Sequence, residues 1–441
     1  MKRLYYLFYF TSFLSLEAQV YSLADCIEVA LLNKESLKSA ALDVQSAVSG
    51  ARGSLSNILP QISYGNSWSE THSTKGVNSS EMVFMGDTVS FASPYGGISN
   101  IYGASFSINQ PIYNGGQWLN QIRSANNTLV INQQRARQQK INVILNVHQS
   151  FYELLKAQQL LDVSKKNLDL ARQQIILVKT QFELGAVKKT DLLKAQVLKG
   201  NAQSDVLIKE TNLLNAELAL RNSMGLIGSA TYFEISDTGR PLLTVPEVEQ
   251  SVLEMEEYSP TLLVYRSQIA GAELSRKILV GTRLPNVSTS MSYGTTTNEF
   301  ENMTQFDEWS SSISLSLSIP IFTGYSLSTK QQQAELNVRR QQYDYLTQKH
   351  DLMVQLENLI NVLGNYQELI PISEHVLASA EEDLKLVQER YILGSTTILE
   401  VLDAQVSVSQ ARSSLVSKKY NARTQEAQLS AILGTLDQDY R

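Results

Sequence analysis

The sequence predicts a mainly α protein that also carries a membrane β-barrel, built from a duplicated strand and long-helix repeat. Three observations predict it: an internal repeat spanning most of the chain, two alternating strands in each half, and a helical pattern in each half several times the ordinary helix length. At a constant offset of 209, Ala104–Gly225 aligns with Ile313–Gly434 without a gap. Pro111 falls on Pro320, Gly115 on Gly324, Leu161 on Ile370, Leu184-Gly185 on Leu393-Gly394, and Ala195-Gln196-Val197 on Ala404-Gln405-Val406. Upstream the offset becomes 225, with Leu37 on Leu262 and Leu59-Pro60 on Leu284-Pro285. The first half therefore holds about 16 more residues (225 less 209), all between Pro60 and Pro111.

The N-terminus, MKRLYYLFYFTSFLSLEAQ, sets Lys2 and Arg3 before an apolar run from Leu4 to Leu16 and a small residue at Ala18, so residues 1–18 read as a secretory signal. That run is shorter than the roughly 17–20 residues a membrane-spanning helix needs, and no later segment reaches that length. Cys26, the only cysteine, rules out an internal disulfide. It lies inside a helical pattern rather than at the cleavage site, which argues against a lipid anchor there.

Each half then follows one order, the first repeat over 19–225 and the second over 247–434. A helix comes first, at 22–57 and 247–283, with Pro60 and Pro285 just beyond the ends. Two strands follow, at about 58–70 and 100–110 in the first half and about 286–295 and 310–319 in the second. SISLSLSI (Ser312–Ile319) alternates Ser with Ile or Leu. YGASFSIN (Tyr102–Asn109) sets Tyr102, Ala104, Phe106 and Ile108 on one face against Gly103, Ser105, Ser107 and Asn109 on the other.

The long helical patterns, 117–184 and 326–393, would each measure roughly 100 Å. Leu154, Leu161, Leu168, Ile175 and Phe182 recur every seven residues, as do Leu356, Leu363, Ile370, Leu377, Leu384 and Tyr391. Small partners (Ala157, Ser164 and Ala171; Ser373 and Ala380) sit between them, the signature of coiled-coil packing. Pro371 interrupts the second seam, where a kink is expected. After tip turns at 184–189 and 393–398, shorter helices run over 190–224 and 399–433, closed by Gly225 and Gly434 as C-caps. Stacked end to end, the two short helices of each half match the long one and can pair antiparallel with it. Residues 226–246, with the strand-like TYFEIS, join the halves at mid-height, and 435–441 form a short tail.

A net charge of -6 offers no basic surface for nucleic acid. His72, His148, His350 and His375 share no metal-ligand spacing, and no nucleophile elbow, phosphate loop or zinc motif occurs, which excludes the common enzyme classes and predicts neither cofactor nor metal. Four strands cannot close a barrel. An apolar face opposite a small, polar one is the pattern of a membrane barrel, so closure requires other copies of the chain: two copies would fill the lumen, three would leave a channel. Trp68, Tyr64, Phe84, Phe91, Tyr95, Tyr102, Tyr113, Trp309 and Phe322 fit an interfacial girdle or ordinary buried strands. The alternative to a channel is a soluble periplasmic coiled-coil adaptor.

Two strands, one long helix and two half-length helices per repeat, the tip turns Phe182-Glu183-Leu184-Gly185 and Tyr391-Ile392-Leu393-Gly394, the following Asp191-x-Leu-x-Ala-Gln196 and Glu400-x-Leu-x-Ala-Gln405, and the C-terminal LSAILGTL (429–436) together resemble the TolC-like outer-membrane channel proteins. The resemblance covers essentially the whole mature chain. It implies a homotrimer in the outer membrane of a Gram-negative bacterium, a twelve-stranded barrel in outer-membrane lipid continued by a twelve-helix periplasmic tube. Its implied partners are a periplasmic adaptor and an inner-membrane pump of the RND, ABC or MFS type, serving multidrug efflux or type I secretion.

By the same resemblance, Leu184, Gly185, Ala186, Val187, Leu393, Gly394, Ser395 and Thr396 dock into the adaptor, and Glu400 and Asp403 form stacked carboxylate rings at the periplasmic constriction. Such rings select cations and raise one another's pKa. Asp191 and Tyr391 match the family's gate latch. Thr190 matches a second latch, but Thr396 stands where the family has the arginine that would reach it, so closure here is expected to be weaker or differently organised. The first repeat has Asp191 and Lys194 where the second has Glu400 and Asp403 and cannot form an equivalent all-acidic ring.

Overall fold

The computed structural model describes residues 19–84, 87–226, 233–236 and 244–440. The signal segment 1–18 and most of the connector 226–246 lie outside the described residues. The chain runs β1 (Gln19–Tyr21), α1 (Leu23–Asn33), α2 (Glu35–Gly53), β2 (Gln61–Phe84), β3 (Asp87–Asn114), α3 (Gln117–Glu183) and α4 (Lys189–Ser223). It continues through β4 (Phe233–Ile235), α5 (Val248–Tyr258), α6 (Pro260–Gly281), β5 (Asn286–Thr297), β6 (Ser310–Ser318), α7 (Ser326–Ile392) and α8 (Ile398–Leu433). The long helices α3 and α7 have 67 residues each. Packing divides the chain into two compact units, one of residues 43–132 and 265–344, the other of 1–42, 133–264 and 345–441.

The first of these units holds an antiparallel sheet in the order β2-β3-β5-β6, with both outer edges unpaired among the described residues. Register puts Ile62, Ile108, Met291 and Ile313 in one cross-strand row and Tyr64, Phe106 and Tyr293 in the next. The opposite face carries Ser63, Ser107, Ser292 and Ser312 in register. Their hydroxyls bond in pairs, Ser63 to Ser107 at 2.7 Å and Ser292 to Ser312 at 2.8 Å, with Ser290 to Ser314 at 2.7 Å. One face is thus apolar and exposed and the other hydroxyl-lined, as the alternation predicts.

The strands of the first half exceed the sequence expectation. Instead of ending near 70 and starting near 100, β2 and β3 continue as a two-stranded ribbon beyond Tyr102–Thr297, the last pairing with β5, with a register slip between Ser73 and Gly76. The extra residues of the first half lie here. They put Ser, Thr, Asn and Gly on both faces and so supply no apolar period to read. Trp68, Tyr102 and Trp309 lie toward the hairpin ends of the strands and Tyr113 and Phe322 toward the helical ends, with Tyr64 between them, 4.8 Å from Phe106. The side chains of Phe84, Phe91 and Tyr95 lie outside the described residues.

In the other unit the heptad seam is the core. Leu154, Leu161, Leu168, Leu356, Leu363, Leu384 and Tyr391 are buried together with the small partners Ala157, Ser164, Ala171 and Ser373, while Phe182 at the end of the first seam is exposed. Helix α7 keeps its helical assignment across Pro371. Nearby, Ser373 Oγ donates to the Leu369 carbonyl and accepts from Lys418 Nζ. The strand read in TYFEIS is β4, three residues long, parallel to β1.

The first helix of each half is not continuous. It breaks at Lys34 (ψ 118°) and Ser259 (ψ 114°), positions the 225-residue offset superimposes, leaving α1 and α5 at 11 residues each. In the second half Pro260 explains the break, because the residue before proline favours extended backbone and proline starts a helix well. Each break lies against the C-cap of a half-length helix. A Cβ on Gly434 (φ +78°) would lie 2.4 Å from the Tyr258 carbonyl oxygen, and one on Gly225 (φ +73°) 3.2 Å from Asn33 Cβ. The break after α1 therefore lies beside the end of α4, and the break after α5 beside the end of α8.

Arg137 fixes the second junction. Its guanidinium binds both Asp437 carboxylate oxygens at 3.0 and 3.1 Å and also donates to the Tyr258 and Gly434 carbonyls at 3.1 and 2.6 Å. Lys140 Nζ, one turn on, donates to the Tyr440 carbonyl at 2.8 Å. The C-terminal tail is thereby strapped to α3.

Candidate gate and docking tips

Both tip turns end a helix by one mechanism. Ala186 N–H donates to the Gln181 carbonyl and Gly185 N–H to Phe182, as Ser395 does to Arg390 and Gly394 to Tyr391. These are Schellman caps, whose pivotal residue takes a positive φ: Gly185 is at +74° and Gly394 at +75°. A Cβ on either would meet nothing within 4 Å, unlike one on Gly434. Glycine is thus required by backbone conformation alone, and the turns stand open. Leu184 and Leu393, just before them, are 79 and 81% exposed. Val187 packs on the cluster of Val178, Ala195, Val387, Tyr391, Ile398, Val401 and Leu402.

Both helices leaving the turns carry an acid in the first turn, Asp191 in α4 and Glu400 in α8, where the macrodipole favours a negative charge. Asp191 Oδ2 also accepts the Lys188 backbone N–H at 3.3 Å and so satisfies an orphan donor of the helix N-terminus. The sequence reading missed this role, although an acid three residues after the cap is its usual signal.

Glu400 and Asp403 both lie on the exposed side of α8, whereas Val401, Leu402, Ala404, Gln405 and Val408 are buried. Within the chain the Glu400 carboxyl is held below its ordinary 4.5, first by the Thr396 hydroxyl, with further help from Thr397 and the Arg390 charge. Thr396 Oγ1 is itself buried and has no hydrogen-bond partner among the described residues.

The sign follows. A lowered carboxyl pKa is a contribution present above 4.5 and lost as pH falls through the lowered value. Thr396→Val is expected to move the Glu400 midpoint upward, read by NMR titration of glutamate-labelled protein. An unmoved or lower midpoint contradicts the assignment.

Tyr391 is buried, and its hydroxyl donates to Gln181 Oε1 at 2.5 Å. Burial raises its pKa, and the charge of Asp191 raises it further. Within one chain the phenol's hydrogen bond goes to Gln181 and the Asp191 carboxylate's to Lys188. Thr190 is exposed in the first turn of α4, and Lys194, the counterpart of Asp403, is exposed as well. No sequence signal would have found Gln181, a polar residue beside the seam that carries no periodicity.

Among the described residues no group of three or more His, Cys, Asp or Glu could hold a metal. Cys26 is buried, and burial pushes its thiol up to about 12, so it is chemically quiet. No described helix is long and apolar enough to cross a membrane.

A family model described as Outer membrane efflux protein matches residues 26–226 and 254–435. The chain is 23% identical over 452 residues to the Outer membrane protein TolC of Vibrio cholerae, covering 99% of this chain and 97% of that one. It is 23% identical over 345 residues to the Alkaline protease secretion protein AprF of Pseudomonas aeruginosa, covering 76% of this chain and 70% of that one. Among solved structures it is similar to CusC, with a TM-score of 0.82 at 19% identity over 93% of this chain and 92% of that one.

Proposed function

The chain belongs to the outer membrane efflux protein family, and from that premise we propose that three copies close a twelve-stranded barrel whose periplasmic end is gated at the two tip turns. It resides in the outer membrane of a Gram-negative bacterium, with a large periplasmic helical portion. There it acts as a passive exit duct for efflux or type I secretion, and its family is one of transport proteins. The soluble adaptor alternative is not supported, since matches to outer-membrane proteins run the length of the chain.

The observation that carries the trimer is the four-stranded sheet itself. Its two edges are unpaired among the described residues, and one long face is apolar and exposed, so a stable fold needs both further strands and lipid. Eight strands would fill their lumen with side chains, whereas twelve leave an aqueous path.

At the other end, Glu400 and Asp403 on their common exposed face supply two rings of three carboxylates, and Asp191, Tyr391 and Thr190 hold the closed arrangement. The open turns at 184–187 and 393–396 receive a periplasmic adaptor, and an inner-membrane pump of the RND, ABC or MFS type supplies the energy. Closure here relies on Tyr391 and Gln181 where the family arginine is missing.

Expression with its own signal should place the protein in the outer-membrane fraction as a heat-sensitive trimer on gels. A soluble monomer would overturn the reading.

A further inference from the structure

Charge is sharply segregated around the sheet. The sheet-forming stretches 61–69, 102–114, 286–297 and 310–318 contain no Lys, Arg, Asp or Glu. The segments that flank them toward the helices, 44–60, 115–132, 269–285 and 319–334, contain Arg52, Arg123, Arg276, Lys277, Arg283 and Lys330 against a single acid, Glu273. In a chain with 37 basic and 43 acidic residues, these same stretches would be expected to hold acids as often as bases. All six cations are exposed, and none is ion-paired among the described residues. By contrast Arg339, further along α7, is paired with Glu335. At 1.5 Å per helical residue, all six lie within about 20 Å of the strand ends. Long basic side chains can cross much of that distance with the charge leading.

We propose that these six residues form a cationic collar that seats the anionic headgroups of phospholipids in the periplasmic leaflet. The inference rests on the sheet being the membrane-embedded part. An uncharged apolar band ends, along four separate segments, in six cations against one acid, and that is the charge order of a bilayer core followed by an anionic headgroup layer. With three copies the collar holds the barrel at a fixed depth and selects its lipid neighbours by charge.

The test equilibrates the full-length trimer with mixed phosphatidylglycerol and phosphatidylethanolamine vesicles, then measures the retained lipid by mass spectrometry. Phosphatidylglycerol should be enriched about fivefold per contact at low salt, and the enrichment should decay as salt is raised. Replacing all six residues by Gln should abolish the enrichment, whereas Arg→Lys replacements at the four arginines should keep it. If the Gln variant does not assemble, the salt titration of the natural protein decides alone. Salt-insensitive or absent enrichment overturns the collar, as does a Gln variant whose ion selectivity changes while its lipid does not, which would place these cations in the duct. A trimer that conducts without lipid preference refutes only the collar, and a chain that never inserts refutes the duct as well.

Discussion

Replacing Glu400 and Asp403 together by alanine should raise single-channel conductance in planar bilayers and reduce cation-over-anion preference about tenfold or more. The size follows from geometry. Both acids lie on the exposed side of α8, three residues apart and therefore about 4.5 Å along the axis, so three copies put six carboxylates around one narrow length of channel. The four-stranded part of the sheet (61–69, 102–114, 286–297 and 310–318) carries no Lys, Arg, Asp or Glu and so adds no charge selection of its own. Replacing Glu400 alone also removes the acid from the first turn of α8, where the helix dipole favours a negative charge. Asp403→Ala is therefore the cleaner probe of the ring, and Glu400→Gln of its charge. Unchanged conductance and selectivity in the double variant would reject the constriction.

Arg137→Met should be the most destabilising single change outside the coiled-coil seam. The Arg137 side chain is 25% exposed and that of Asp437 10%, and removing one partner of so enclosed a bidentate pair typically costs about 3–5 kcal/mol. The Tyr258 and Gly434 carbonyls lose their donor as well. Asp437→Asn keeps an acceptor and should cost less. Denaturant unfolding followed by helical circular dichroism measures both. A loss under about 1 kcal/mol for Arg137→Met would mean that the tail is held elsewhere.

Much of this was legible in the sequence for a physical reason. A duplicated chain writes each element twice, and the seven-residue seam and two-residue strand alternation are the periods that packing demands. The broken first helices were half legible. Ser259-Pro260 is a readable boundary, and the 225-residue offset transfers it to Lys34, where nothing local marks it. The ribbon beyond residue 70 was not, because its faces do not differ. Arg137 could not have been singled out, since its partners are about 120 and 300 residues away and two of them are backbone oxygens that any sequence supplies. At the gate, residue types and spacing offered only an ordinary solvated acid pair. Resemblance raised Glu400 and Asp403 above that, and the structure added that both lie on the exposed side of α8 and that the Glu400 carboxyl is held below its ordinary pKa.

Electron cryomicroscopy of the full-length protein in lipid nanodiscs tests the central claim most directly. The account predicts threefold symmetry, β6 of each copy hydrogen-bonded to β2 of the next in a closed twelve-stranded barrel, and Glu400 and Asp403 facing the axis at the narrowest point. An unclosed sheet, a different copy number, or carboxylates turned away from the constriction would contradict it.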